Sequence, residues 1–150
     1  MSTATPSTDV PQKVKMHWHV LFTHFPFALF GVAFGFQFLH LFTSPGCFDL
    51  AGNITLIAGA VVMIPTTLTG WLTWKSRYKG AKVPLFKRKI SIAFGMLAYS
   101  IALIVWRLVF YDITSDLPNS AAHWIYLVAT GLLPLGAFLE GYYGGKLNHR

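Results

Sequence analysis

Four apolar stretches, each of about 20 residues, dictate what this chain can become. Hydrocarbon offers the backbone no hydrogen-bond partner, so a run of that length crosses lipid only as a helix rising about 1.5 Å per residue. The runs cover residues 20–42, 51–74, 90–111 and 121–143. Composition agrees: 54% of the 150 residues are hydrophobic and 11% are charged, against about 25% charged in a soluble domain. The expected fold is all-α, an integral membrane four-helix bundle forming one domain over residues 16–150. Residues 1–15, MSTATPSTDVPQKVK, read as a flexible polar tail without the apolar centre of a secretory signal.

The connections differ in kind. TSPGCFDLAGN (43–53) and DITSDLPNS (112–120) have the Pro, Gly, Asp and Asn of tight turns. KSRYKGAKVPLFKRK instead carries Lys75, Arg77, Lys79, Lys82, Lys87, Arg88 and Lys89. Positive charge beside span ends stays cytoplasmic, so this loop and, with four spans, both termini are expected inside. The basic loop 75–89 is then a candidate contact for other subunits. The net charge of +7 does not imply nucleic acid, because the basic residues sit between apolar runs and form no aromatic-interleaved surface. A single cysteine, Cys47, excludes an intrachain disulfide.

Gly31 with Gly35, and Gly141 with Gly145, have the small-xxx-small spacing that lets membrane helices approach closely. Pro65 and Pro134 fall deep in the second and fourth spans, where each deletes a backbone hydrogen bond and favours a bend.

The polar residues near the span ends are the candidates for chemistry. His17, His19, His24 and His149 fall at the inner side, His40 and His123 at the outer. Half-polar rings suit the interface, as do Trp18, Trp71, Trp74, Trp106 and Trp124. Neutral imidazole is also the commonest metal ligand, and a bundle can present one ring from each of two helices. His40 and His123 match in depth and form the best pair for a haem iron. Arg107, at that depth, suits a haem propionate or an ion pair with Asp49 or Asp112. At the inner side, Pro26 disfavours helix at Phe25, so the regular span is expected to start near His24. His19 and His24 then converge through a broken entry segment, and His17 shares a face with His24 if the segment is helical. His24 and His40 lie about 24 Å apart along a straight helix and about 160° apart around it, which does not suit two haems on one face.

Glu140 is the one carboxylate within an apolar run. Such acids face the protein interior and carry protons or pair with a base, here His17, His24 or Lys89, unless they reach water by snorkelling. Thr66, Thr67, Thr69 and Thr73 either bond a cofactor or return bonds to their own helix. No phosphate-cradling glycine loop, zinc-type spacing or paired catalytic acids accompany them, so no enzyme acting alone is expected.

The stretch HVLFTHFPFAL (19–29) resembles a family of small bacterial predicted membrane proteins of unassigned function. Their first span opens with a histidine followed by a His-Phe-Pro element, here His19, His24, Phe25 and Pro26. LTGWLTW (68–74) and YYGGKL (142–147) extend the resemblance more weakly. It implies a four-helix module of the bacterial inner membrane found beside respiratory or redox proteins, some members binding haem. The chain departs from that pattern in FKRKISIAFG (86–95), which has Lys87, Arg88 and Lys89 in place of a histidine. It also lacks an acidic residue after Thr69 and Gly70.

The leading expectation is a membrane electron-transfer subunit, a b-type cytochrome-like module linking the quinone pool to a redox partner. Haem b and quinone are its expected cofactors. His40 with His123, or His24 with another inner imidazole, would be the axial ligands. The alternatives are a non-haem anchor or assembly subunit of a larger respiratory complex, and a small carrier moving protons or metal ions through His and Glu140.

Overall fold

A computed structural model describes residues 18–43, 46–77, 79–80, 83–114 and 121–148, so the 1–15 tail, His17 and His149 lie outside the described residues. The described residues form four helices: α1 (Trp18–Thr43), α2 (Gly46–Arg77), α3 (Pro84–Thr114) and α4 (Ala121–Asn148). They contain stretches of 20, 31, 26 and 23 residues that are long and apolar enough to cross a membrane. The outward faces are correspondingly apolar, with Phe42, Val61, Leu108, Val128 and Phe138 exposed, as contact with a lipid bilayer requires.

The helices extend beyond the apolar runs because polar residues at their ends have structural uses. Most of the expected turn at 43–53 is helix: α2 starts at Gly46 and carries Asp49 in its first turn, where the positive helix end favours a carboxylate. Likewise α3 starts at Pro84, since proline is preset for the first helical position. The carbonyl of Val83 accepts the amide hydrogens of Phe86 and Lys87 there, at 3.1 and 3.3 Å. Lys87, Arg88 and Lys89 are therefore the first turns of α3 and not loop. Before them, Lys79 and Gly80 turn the chain with φ of 48° and 68°. The Gly80 amide closes the end of α2 on the Trp74 carbonyl at 3.2 Å.

The expected break before His24 is absent: α1 runs continuously from Trp18 with Pro26 inside it. Pro26 is among the most deeply buried side chains. Packing of its ring into the bundle offsets the hydrogen bond it deletes. Pro65 and Pro134 also sit inside unbroken helices.

Each helix packs on its two neighbours in a closed ring, α1 on α2, α2 on α3, α3 on α4 and α4 on α1. Adjacent helices in the ring are antiparallel, giving a distal end (α1–α2 and α3–α4 connections) and a proximal end (the α2–α3 connection). Between them lies an apolar plug containing Phe30, Leu56, Met63, Met96 and Leu133.

Glycine does bring helices together, but not at the expected pairs. Gly31 and Gly35 have nothing within 4 Å of the space a β-carbon would take. Gly141 makes only ordinary contact with Phe27, at 3.6 Å, and Gly145 lies outside the described side chains. The close approaches are Gly59 against Phe30, where a β-carbon would fall 2.7 Å from the ring, and Gly52 against Gln37. Gly52 and Gly59 are seven apart and share a face of α2, an interval that a search for GxxxG spacing passes over.

Gly59→Val should therefore cost about 1–3 kcal/mol through overpacking, whereas Gly31→Ala should stay within about 0.5 kcal/mol. Thermal unfolding of the detergent-solubilised variants, followed by circular dichroism, checks the contrast.

Candidate functional site at the distal end

Local helix geometry places polar residues inward at the distal end of all four helices. On α1, Gln37 and His40 are three residues apart and share a face. Asp49 and Asn53 are four apart on α2, and α3 supplies Arg107. His123 and Tyr126 are three apart on α4. Gln37, Asp49, His123 and Tyr126 are buried.

These groups join into a network. The Arg107 guanidinium donates through Nη2 to Asp49 Oδ2, an ion pair between α3 and α2. Gln37 Nε2 donates to Asp49 Oδ1 at 3.3 Å and to the Asp49 carbonyl at 3.4 Å, adding α1. The Tyr126 hydroxyl donates to Asn53 Oδ1 at 3.0 Å, linking α4 to α2. The guanidinium of Arg107 also stands 5.5 Å from the centre of the Tyr126 ring, and Trp106 meets that ring edge-on. Burying an isolated charge is prohibitive, so Asp49 and Arg107 are tolerable inside an apolar bundle because each satisfies the other.

The sequence-derived pair is brought together here. The rings of His40 and His123 lie 5.2 Å apart, centre to centre, with their planes at 53°. His40 is half-buried, His123 is 3% exposed, and the His123 ring reaches the backbone of Gln37. Gln37 Oε1 accepts no hydrogen bond among the described residues, although the residue is 1% exposed. Flipping the amide would not relieve this, because it would turn the oxygen onto the Asp49 carboxylate. Such an orphaned acceptor costs about 1–3 kcal/mol.

A haem iron between His40 and His123 is not a fit for this geometry. Rings bound in line on one iron stand about 6 Å apart, from metal–nitrogen bonds of about 2 Å and about 1 Å more to each ring centre. At 5.2 Å the observed rings are too close, and a porphyrin would need a flat gap between them. Buried Gln37, Leu41, Tyr126 and Leu127 fill the interior at that level. Among the described residues, no three His, Cys, Asp or Glu side chains converge as a metal cage.

The proximal candidates are differently placed. His24 is exposed, because Pro26, two residues on and about 200° around the helix, takes the inward face. An inner pair of His24 with His17, His19 or His149 lies outside the described side chains, and among the described residues Lys89, not His24, is the base near Glu140. His19 belongs to α1, but its side chain, like all of His17 and His149, lies outside the described residues. Glu140 is 4% exposed and faces the interior rather than snorkelling. Lys89 of α3 is the cation that acts on it. Thr66, Thr69 and Thr73 return their hydroxyl hydrogens to carbonyls of their own helix, at 2.7–3.1 Å. Thr67 does not, and its buried hydroxyl has no partner among the described residues.

Residues that sequence reasoning passed over are Gln37, Asn53 and Tyr126. Gln37 is the one amide inside the first apolar run, which was signal enough to mark it. Compared with known protein families, curated proteins and solved structures, the chain has no significant match.

Removing one member of the ion pair, as in Asp49→Asn or Arg107→Met, should cost about 3–5 kcal/mol by leaving the other charge buried alone. The double variant Asp49→Leu/Arg107→Met should recover most of that loss. A double-mutant cycle on unfolding in detergent measures the difference.

Proposed function

We propose that this protein is a multi-pass subunit of a membrane electron-transfer complex, serving its redox partners as a helical anchor. It sits in a bacterial inner membrane with both termini inside. The observation that carries the anchor role is the distal network, in which protein groups alone join all four helices around Asp49. A bundle locked in that way keeps its shape without a cofactor and offers its outward faces to lipid and neighbouring helices. The redox setting is supported by the His-Phe-Pro resemblance, and the orientation by the basic residues at the proximal end.

The cytochrome form of this reading, with haem b supplying one-electron chemistry between the quinone pool and a partner, draws support from the convergence of His40 and His123. It requires those rings to part, or another pair to form. The carrier reading is opposed by the apolar plug, since among the described residues hydroxyl groups such as those of Ser100 and Thr130, and no charged side chain, lie between the buried charges of the two ends around Phe30, Met63 and Leu133.

Partner contact through the proximal basic surface falls to Lys75, Lys87 and Arg88, which are exposed, whereas Lys89 is turned partly inward toward Glu140.

Purified in mild detergent after expression with haem supplied, the protein should show no visible absorbance, as isolated or after dithionite. A Soret band with sharp reduced α and β bands would instead establish the cytochrome form. Separately, Lys87→Glu/Arg88→Glu should reduce co-purification with acidic partner subunits, with the wild-type association weakening as salt rises. Equal recovery of partners with wild type and variant would remove the docking role of this surface.

A further inference from the structure

We propose that His40 and His123 form an open two-histidine site for a divalent transition-metal ion of the zinc and copper class. This inference is independent of the electron-transfer reading.

The first support is the separation of the rings. Two imidazoles on one tetrahedral ion each place a nitrogen about 2 Å from it and a ring centre about 1 Å further out, so the centres stand about 5 Å apart. The observed value is 5.2 Å. The spacing that is too short for ligands in line on a haem iron suits ligands side by side on a small ion. The rings are tilted by 53° and not stacked flat, an arrangement that two ligands side by side on one ion can adopt.

The second support is Gln37 Oε1, the buried acceptor without a donor. It belongs to the residue one turn below His40, whose backbone the His123 ring reaches. A metal ion held by two imidazoles completes its shell with water, and a metal-bound water donates strong hydrogen bonds. Gln37 Oε1 supplies the acceptor for such a water, with its amide oriented by Asp49 through Nε2. Besides His40 itself, the charges acting on His123 from neighbouring helices are those of Asp49 and Arg107, of opposite sign. The pair therefore opposes a dication no more than it attracts one. Imidazole with water or amide oxygen suits zinc, copper or nickel better than the hard ions calcium and magnesium.

The test uses the full chain in mild detergent, stripped with a chelator and titrated with Co²⁺ as a visible probe for the zinc site. The expected result is one equivalent bound with the intense visible bands of tetrahedral cobalt, displaced by Zn²⁺. His40→Asn and His123→Asn should each lose the bands, and Gln37→Leu should weaken binding about 10–100-fold, as loss of an outer-shell partner does. His24→Asn, on the exposed face, should bind as the wild type does. If His123→Asn fails to fold, the half-buried His40→Asn carries the test. The proposal is overturned by weak octahedral cobalt bands of equal affinity in wild type and both variants, which mark adsorption to surface groups, or by no cobalt binding. Co-purification of partner subunits is read separately, so either result leaves the anchor role to its own experiment.

Discussion

The buried ion pair between Asp49 and Arg107 is the interaction on which the rest of the bundle depends. Lipid-facing helices gain little from apolar burial against one another, because hydrocarbon solvates leucine as well as another helix does. Specific positions must come from close packing and from polar groups that have nowhere else to go. Asp49 is such a group: it sits in the first turn of α2, takes a hydrogen bond from Arg107 on α3 and another from Gln37 on α1. Fixing those three helices places His123 and Tyr126 of α4 against the same cluster, and the helical rise then sets the level of every contact below.

Much of this was legible in the residues. Four long apolar helices and the depth match of His40 with His123 follow from length, hydropathy and rise per residue, none of which needs tertiary knowledge. Arg107 near Asp49 follows in the same way. Rotation about each helix axis was not legible. Hydropathy alone leaves open which side of an apolar helix faces its neighbours, so Gly31 and Gly35 drew attention that Gly52 and Gly59 deserved. The same ambiguity concealed that Pro26 takes the inward position and turns His24 out. The entry segment was misread because an isolated proline breaks a helix, whereas this one is packed into a bundle that supports it.

The charged and ring-nitrogen groups among the described buried and half-buried residues fall into two clusters separated by the plug. The distal one holds His40, Asp49, Arg107 and His123; the proximal one holds Glu140 with Lys89 nearby. Between them the interior is Phe30, Met63, Met96 and Leu133, softened by hydroxyls such as those of Ser100 and Thr130, which bond carbonyls of their own helices, and that of Tyr99, which bonds the Ala129 carbonyl of α4. Charge cannot pass through such a region without a large desolvation penalty. The buried charges of the two ends are therefore kept apart.

Gly52 has a role beyond letting α1 and α2 touch. A β-carbon there would fall 2.8 Å from Gln37 Nε2, so the amide can point its nitrogen at Asp49 only because that carbon is missing. With any other residue at position 52 the amide would have to shift from its place beside Asp49. One absent methyl group thus leaves the amide room to lie against the acid. A packing constraint between two helices becomes, at this point, a condition on a buried hydrogen bond.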